Sequence, residues 1–177
     1  MINTNELVCQ SSECPNCFGH PAILSVNFAE RMVNIAGLEF GDTVVCMGDT
    51  GSAIEAAIVK NGSRSLCSSA ADKGNKWNAS RLLGSTRSDA VLWAADLSRP
   101  NAMTESLSAI SKHLRRGGRL VMWAPPDGCR EAQASAEHIQ RLLAAAGFTS
   151  VIVGQTPLDV RDLTVATGIL GTNARQQ

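Results

Sequence analysis

The sequence carries no excess of either charge: 16 Lys and Arg stand against 16 Asp and Glu. A chain so balanced has no general pull toward nucleic acid or toward an anionic membrane. No apolar run approaches the length that crosses a bilayer. Met1 to Val8 contains no basic residue and no hydrophobic stretch of the secretory-signal kind. The cytoplasm is therefore the expected address, with neither a membrane nor a nucleic acid as partner. The six cysteines are expected mostly as reduced thiols, and the sequons at Asn61 and Asn78 are expected to stay unmodified. No internal repeat is visible. What remains, at 177 residues of which 44% are hydrophobic, is one domain with a single sizeable core.

The chain divides into three parts. Residues 1–26 hold Cys9, Cys14, Cys17, Pro15, Gly19 and Pro21 without a sustained period and read as an irregular segment. Residues 27–170 read as the folded domain, and residues 171–177 as the start of a linker or tail. Within the domain, Phe28, Met32, Val33 and Ile35 mark a helix ending at Gly37. A strand is expected over Asp42–Met47, then the turn Gly48-Asp-Thr-Gly51, then a helix over Ser52–Lys60 stopped by Asn61-Gly62. Strand, glycine turn and helix in succession open a βαβ unit. Further strands fit Ser63–Ser68, Asp89–Ala95 and Arg119–Ala124, with a short helix around Trp77–Leu83. Helices are expected over Thr104–Arg115, ended by Gly117-Gly118, and over Glu131–Ala146, with Gly147 at its C′ position. Strands over Thr149–Val153 and Leu163–Leu170 have no helix between them and should pair antiparallel at one edge. The expected class is α/β, a mainly parallel sheet with helices on both faces.

This order resembles the class I S-adenosylmethionine methyltransferase fold, a Rossmann-like sheet with an antiparallel edge hairpin. The wording of three stretches carries the resemblance over Gly41–Leu170. Ser88-Asp-Ala-Val-Leu-Trp93 looks like that family's fourth strand. Ile110–Met122, with its Arg-Arg-Gly-Gly-Arg turn, is similar to the next helix, turn and strand. Leu142-Leu-Ala-Ala-Ala-Gly-Phe148 looks like the last helix entering the hairpin. The family's cofactor turn is Gly-x-Gly-x-Gly after a strand that ends in an acid, which lets the backbone come close to the ligand. Here Gly48 matches the first glycine, while Thr50 and Ser52 stand at the other two and Cys46 replaces the acid. Ser63–Ser69 offers no carboxylate for the ribose, and about twenty residues stand where the family fits two helices and another strand.

With the glycine loop lost and the middle shortened, the pattern looks most like the N-terminal domain of the anamorsin family of cytosolic iron–sulfur assembly proteins. That resemblance implies a non-catalytic interaction domain with no cofactor of its own. Iron–sulfur clusters and electron transfer would belong to a C-terminal region outside these residues, and a diflavin reductase is an implied protein partner. On this reading the loops at Asp49–Ser52, Ala95–Asn101 and Pro125–Arg130, with Asp96, Arg99, Asp127 and Arg130, form the docking rim. The alternative is a divergent S-adenosylmethionine-dependent methyltransferase, whose cofactor residues would be Gly48, Asp49 and Gly51. Asp49 is either a displaced ligand or an acid facing the dipole of the following helix.

Cys9-x4-Cys14-x2-Cys17 has the spacing of three ligands of a plant-type ferredoxin cluster, and His20 could complete a zinc site. The bland reading is a segment of reduced thiols, and it is the expectation. Cys46 and Cys67 are expected as small core residues and Cys129 in an exposed loop. Trp93 and Trp123 are expected in the core, and Trp77 is a candidate partner contact. His113 fits a helix C-terminus, and His138 the polar side of its helix. Arg115, Arg116 and Arg119 are expected as a solvated basic face.

Overall fold

The computed structural model describes residues 26–48, 50–67, 87–95, 100–123, 135–158 and 161–171. They form ten elements in chain order: α1 (Val26–Ala36), β1 (Thr43–Met47), α2 (Gly51–Lys60), β2 (Arg64–Cys67), β3 (Ser88–Ala94), α3 (Pro100–His113), β4 (Leu114–Trp123), α4 (Ala136–Ala145), β5 (Phe148–Leu158) and β6 (Arg161–Leu170). The strands make one sheet in the order β2-β1-β3-β4-β6-β5. β2, β1, β3 and β4 are parallel, and β6 pairs antiparallel with both β4 and β5. The expected α/β architecture and its antiparallel edge pair are both present.

Strands buried on both faces need apolar residues without alternation, and the central strands have them. Val44 and Cys46 of β1, Ala90 and Leu92 of β3, and Val121 and Trp123 of β4 face α1 and α2. Their neighbours Val45, Met47, Val91, Trp93, Leu120 and Met122 face α3 and α4. Trp93 and Trp123 are thus core residues, as expected, and Phe28 of α1 meets the Trp123 ring edge-on at a centroid distance of 5.7 Å. Cys46 is buried as well.

Five elements, α3, β4, α4, β5 and β6, depart from their expected bounds. α3 begins at Pro100, a residue preorganised for a first turn, and ends at His113. It stops there because Leu114 is drawn fully into the core and pairs with Ser88, whose hydroxyl donates to the His113 carbonyl. The pair Gly117-Gly118 therefore does not end the helix. It lies inside β4, where residues 115–118 bulge out between Leu114, opposite Ser88, and Arg119, opposite Ala90. α4 starts at Ala136 and not at Glu131, because Ser135 takes an extended conformation and its hydroxyl caps the His138 N–H at 3.2 Å. β5 and β6 outrun their expected lengths. Gly154 and Pro157 look like breakers, yet β5 is the outer strand, where such residues are tolerated. The short helix expected near Trp77 falls outside the described residues, as do Cys9, Cys14, Cys17, His20 and Cys129.

Candidate functional site

In open α/β sheets, ligands gather beyond the carboxyl ends of the strands, where neighbouring strands connect to opposite faces. Here that point lies between β1 and β3, which pair up to Met47 and Trp93. β1 leads into α2 on one face, and β3 leads into α3 on the other.

The chain leaves β1 through Gly48, whose φ is +73°. The Thr50 N–H donates to the Gly48 carbonyl at 3.0 Å, and α2 begins at Gly51, whose φ is +72°. Both angles lie in the left-handed region that favours glycine. The two glycines serve different ends. A Cβ on Gly48 would stand 2.4 Å from the Ala94 carbonyl oxygen, so this glycine lets β1 and β3 close together at their tips. Among the described residues, a Cβ on Gly51 would meet nothing within 4 Å, so the space above its backbone is open there. Open backbone at a positive φ, at the start of a helix with no side-chain cap, is a surface that a ligand can approach closely.

The structure places Thr50 and Ser52, which stand at the other two glycine positions, differently. Thr50 is 4% exposed and folded inward, and Ser52 stands on α2 facing solvent. The two left-handed glycines of this turn stand three residues apart, a spacing that a Gly-x-Gly pattern misses. The Asn61-Gly62 and Ala146-Gly147 pairs show that the chain elsewhere also places glycine where φ turns positive. The strand-end acid remains absent: at position 46 the Cys46 side chain is buried, its Sγ 3.7 Å from the Ser65 hydroxyl. β2 ends at Cys67 without a carboxylate in its described residues.

Asp49, Asp96, Arg99, Asp127 and Arg130, expected on a docking rim, lie outside the described residues. The most evident groove among the described residues is shallow and lies elsewhere, along α2 and β2, lined by Ser52, Glu55, Ala56, Val59, Lys60 and Ser65. No group of three or more His, Cys, Asp or Glu among the described residues could hold a metal. No helix among them is long and apolar enough to cross a membrane.

At the opposite end of the sheet, charges gather that sequence reasoning had taken as a solvated face. Asp42 opens β1, Asp89 lies in β3, and Arg115 and Arg119 flank the β4 bulge. The Arg119 guanidinium donates to the Asp42 carboxylate and to the Gly37 carbonyl. Arg115 reaches Asp89 at 2.9 Å and Asp42 at 3.9 Å. Asp42 also accepts the Glu39 N–H at 2.9 Å, and Asp89 the Thr43 N–H at 2.6 Å. The Asp42 side chain is 8% exposed and that of Arg119 19%. This clasp ties the α1–β1 loop, β3 and β4 together, while Arg116, exposed and with no ion pair among the described residues, fits the expected solvated role.

No protein-family model matches the sequence, and a search of curated proteins finds no match. Solved structures do share the fold. Magnesium protoporphyrin IX methyltransferase (ChlM) from Synechocystis PCC 6803, solved with bound SAM, superposes with a TM-score of 0.57 at 16% identity over 81% of this chain and 77% of its own. Phosphoethanolamine N-methyltransferase 2 from Haemonchus contortus, in complex with S-adenosyl-L-methionine, gives 0.63 at 9% over 82% of this chain. This chain spans about half of that protein, 53%. A SAM-dependent methyltransferase from Archaeoglobus fulgidus gives 0.60 at 12%, covering 82% of this chain and 94% of its own. The domain is methyltransferase-like in fold. The expectation of a non-enzyme is corrected by these neighbours: they are methyltransferases, two of them solved with the cofactor.

Proposed function

We propose that the chain is a divergent S-adenosylmethionine-dependent methyltransferase domain. The observation that carries this reading is the turn Gly48–Gly51, with two left-handed glycines and open space above Gly51, at the switch point between β1 and β3. When bound, S-adenosylmethionine supplies an activated methyl group for transfer to a nucleophile. The chain's own part at this turn is to hold and orient. The exposed Gly48, the open Gly51 backbone and the first N–H groups of α2 offer donors to the ligand, and the buried Thr50 anchors the turn from beneath. Asp49 is the carboxylate nearest in sequence to this turn and is assigned a ligand role on that ground.

Titration calorimetry with S-adenosylmethionine and its demethylated product tests the reading. Binding is expected, and Gly51→Ala, which puts a methyl group into the open space, should weaken it at least about tenfold, or 1.4 kcal/mol. A folded wild-type protein that binds neither compound at millimolar concentration overturns the proposal.

A second reading keeps the anamorsin resemblance: a place in cytosolic iron–sulfur assembly, with a diflavin reductase as partner. The observation favouring it is the shortness of the stretch between Cys67 and Ser88, which makes β2 the outer strand among the described residues. Failure of the full-length protein to co-sediment with such a reductase removes this reading.

A further inference from the structure

β5 is the outer strand of the sheet, with β6 as its sheet neighbour among the described residues. Outer strands are normally guarded against pairing by charges, prolines or bulges. Residues 148–158, Phe-Thr-Ser-Val-Ile-Val-Gly-Gln-Thr-Pro-Leu, contain no charge at all. The one irregularity in the pairing with β6 lies at its start, between Thr149 and Ile152, where Ser150 has a φ of +51°. Pro157 stands near the other end. Among the described residues nothing guards the extended backbone from Val151 to Gln155.

The two faces of that stretch differ. Val151 and Val153 pack against the core beneath α4. Ile152 turns to the other face and is 67% exposed, and Gly154, two residues on, is bare, with nothing within 4 Å of where a Cβ would stand. On the same face of the neighbouring strand Ile169 is 42% exposed. Ile169 pairs with Arg119, which in turn holds the carbonyl of Gly37 at the end of α1, close in sequence to the 40% exposed Ile35. Ile152 and Ile169 thus leave exposed apolar surface on this face of the hairpin.

The geometry points to a second copy of this chain as the occupant of this edge, paired antiparallel through β5 about a two-fold axis at Val153. That register sets Ile152 of each copy opposite Gly154 of the other, so the exposed isoleucine gains a neighbour where the glycine leaves room. The absence of charge makes the strand compatible with itself, since an antiparallel pairing of identical strands would otherwise bring like charges together. The contact is isologous and closes at two copies. It joins the two sheets, each of six strands among the described residues, edge to edge and lies away from the Gly48–Gly51 turns. The inference is independent of what that turn binds.

Analytical ultracentrifugation of the whole chain, up to about 100 µM, tests it with two variants. Ile152→Lys adds charge at an exposed position, and Gly154→Glu adds a side chain where the monomer has space, so neither should disturb the separate fold. The wild type is expected as a dimer. Each variant should dissociate it at least about tenfold more readily, with an unchanged urea midpoint in dilute solution. Val59→Lys, 63% exposed on α2 and remote from this edge, should leave the dimer intact. A monomeric wild type, species larger than a dimer, or variants that still dimerise would each overturn the proposal. So would a monomer that Ile152→Lys and Gly154→Glu both unfold, because the chain's own residues would then be covering this edge.

Discussion

Alanine at the two turn glycines should separate a role in holding the fold from a role at the surface. Both residues sit near φ = +72°, so each alanine incurs the left-handed penalty, about 1–2 kcal/mol. At Gly51 little else is added, because the new methyl group meets nothing within 4 Å. At Gly48 the methyl would stand 2.4 Å from the Ala94 carbonyl oxygen, and real Cβ atoms stay beyond 3.0 Å. The backbone of β1 or β3 must give way by at least about 0.6 Å, in a region that Met47 and Trp93 keep closely packed. Overpacking of this kind costs about 1–3 kcal/mol. Gly48→Ala should therefore destabilise by about 2–5 kcal/mol and Gly51→Ala by about 1–2 kcal/mol. Urea denaturation followed by circular dichroism measures both, provided the slope m stays that of the wild type. Equal losses, or a greater loss at Gly51, would refute the assignment of Gly48 to strand closure.

The clasp at the other end of the sheet gives a second expectation. Arg119→Ala leaves the nearly buried Asp42 with a guanidinium at 3.9 Å and should cost about 3–5 kcal/mol in denaturant. Asp42→Asn together with Arg119→Ala should cost less than the two changes added, since a partner already lost cannot be lost twice. Ser135→Ala removes the cap of α4 and should lower stability by about 1 kcal/mol, read from the same melts.

Much of the fold was legible because its central strands are buried on both faces. Asp42–Met47 and Asp89–Ala95 are apolar runs that end in turn signals, and such runs survive without alternation. The edge hairpin was legible as to kind but not length, because Gly154 and Pro157 break a central strand and not an outer one. The cap at Ser135 was missed because the residues before it, Glu131-Ala-Gln-Ala134, are themselves good helix formers. At the site, residue types were read against a fixed spacing, whereas φ turns positive at positions 48 and 51, three steps apart, and glycine stands at both. The clasp was missed because its members lie far apart in sequence. Its one local sign is that Asp42, Asp89 and Arg119 each stand immediately before an apolar run.

That separation has a kinetic consequence. Asp42 and Arg119 are 77 residues apart and Thr43 and Asp89 are 46 apart, so neither contact can close until β1, β3 and β4 already lie side by side. Contacts that must wait for distant chain segments contribute little to the rate of folding, and their energy falls mainly on the rate of unfolding. The clasp therefore acts as a latch. Its loss should shorten the lifetime of the folded state, and hasten deep amide exchange in β1 and β3, far more than it slows refolding.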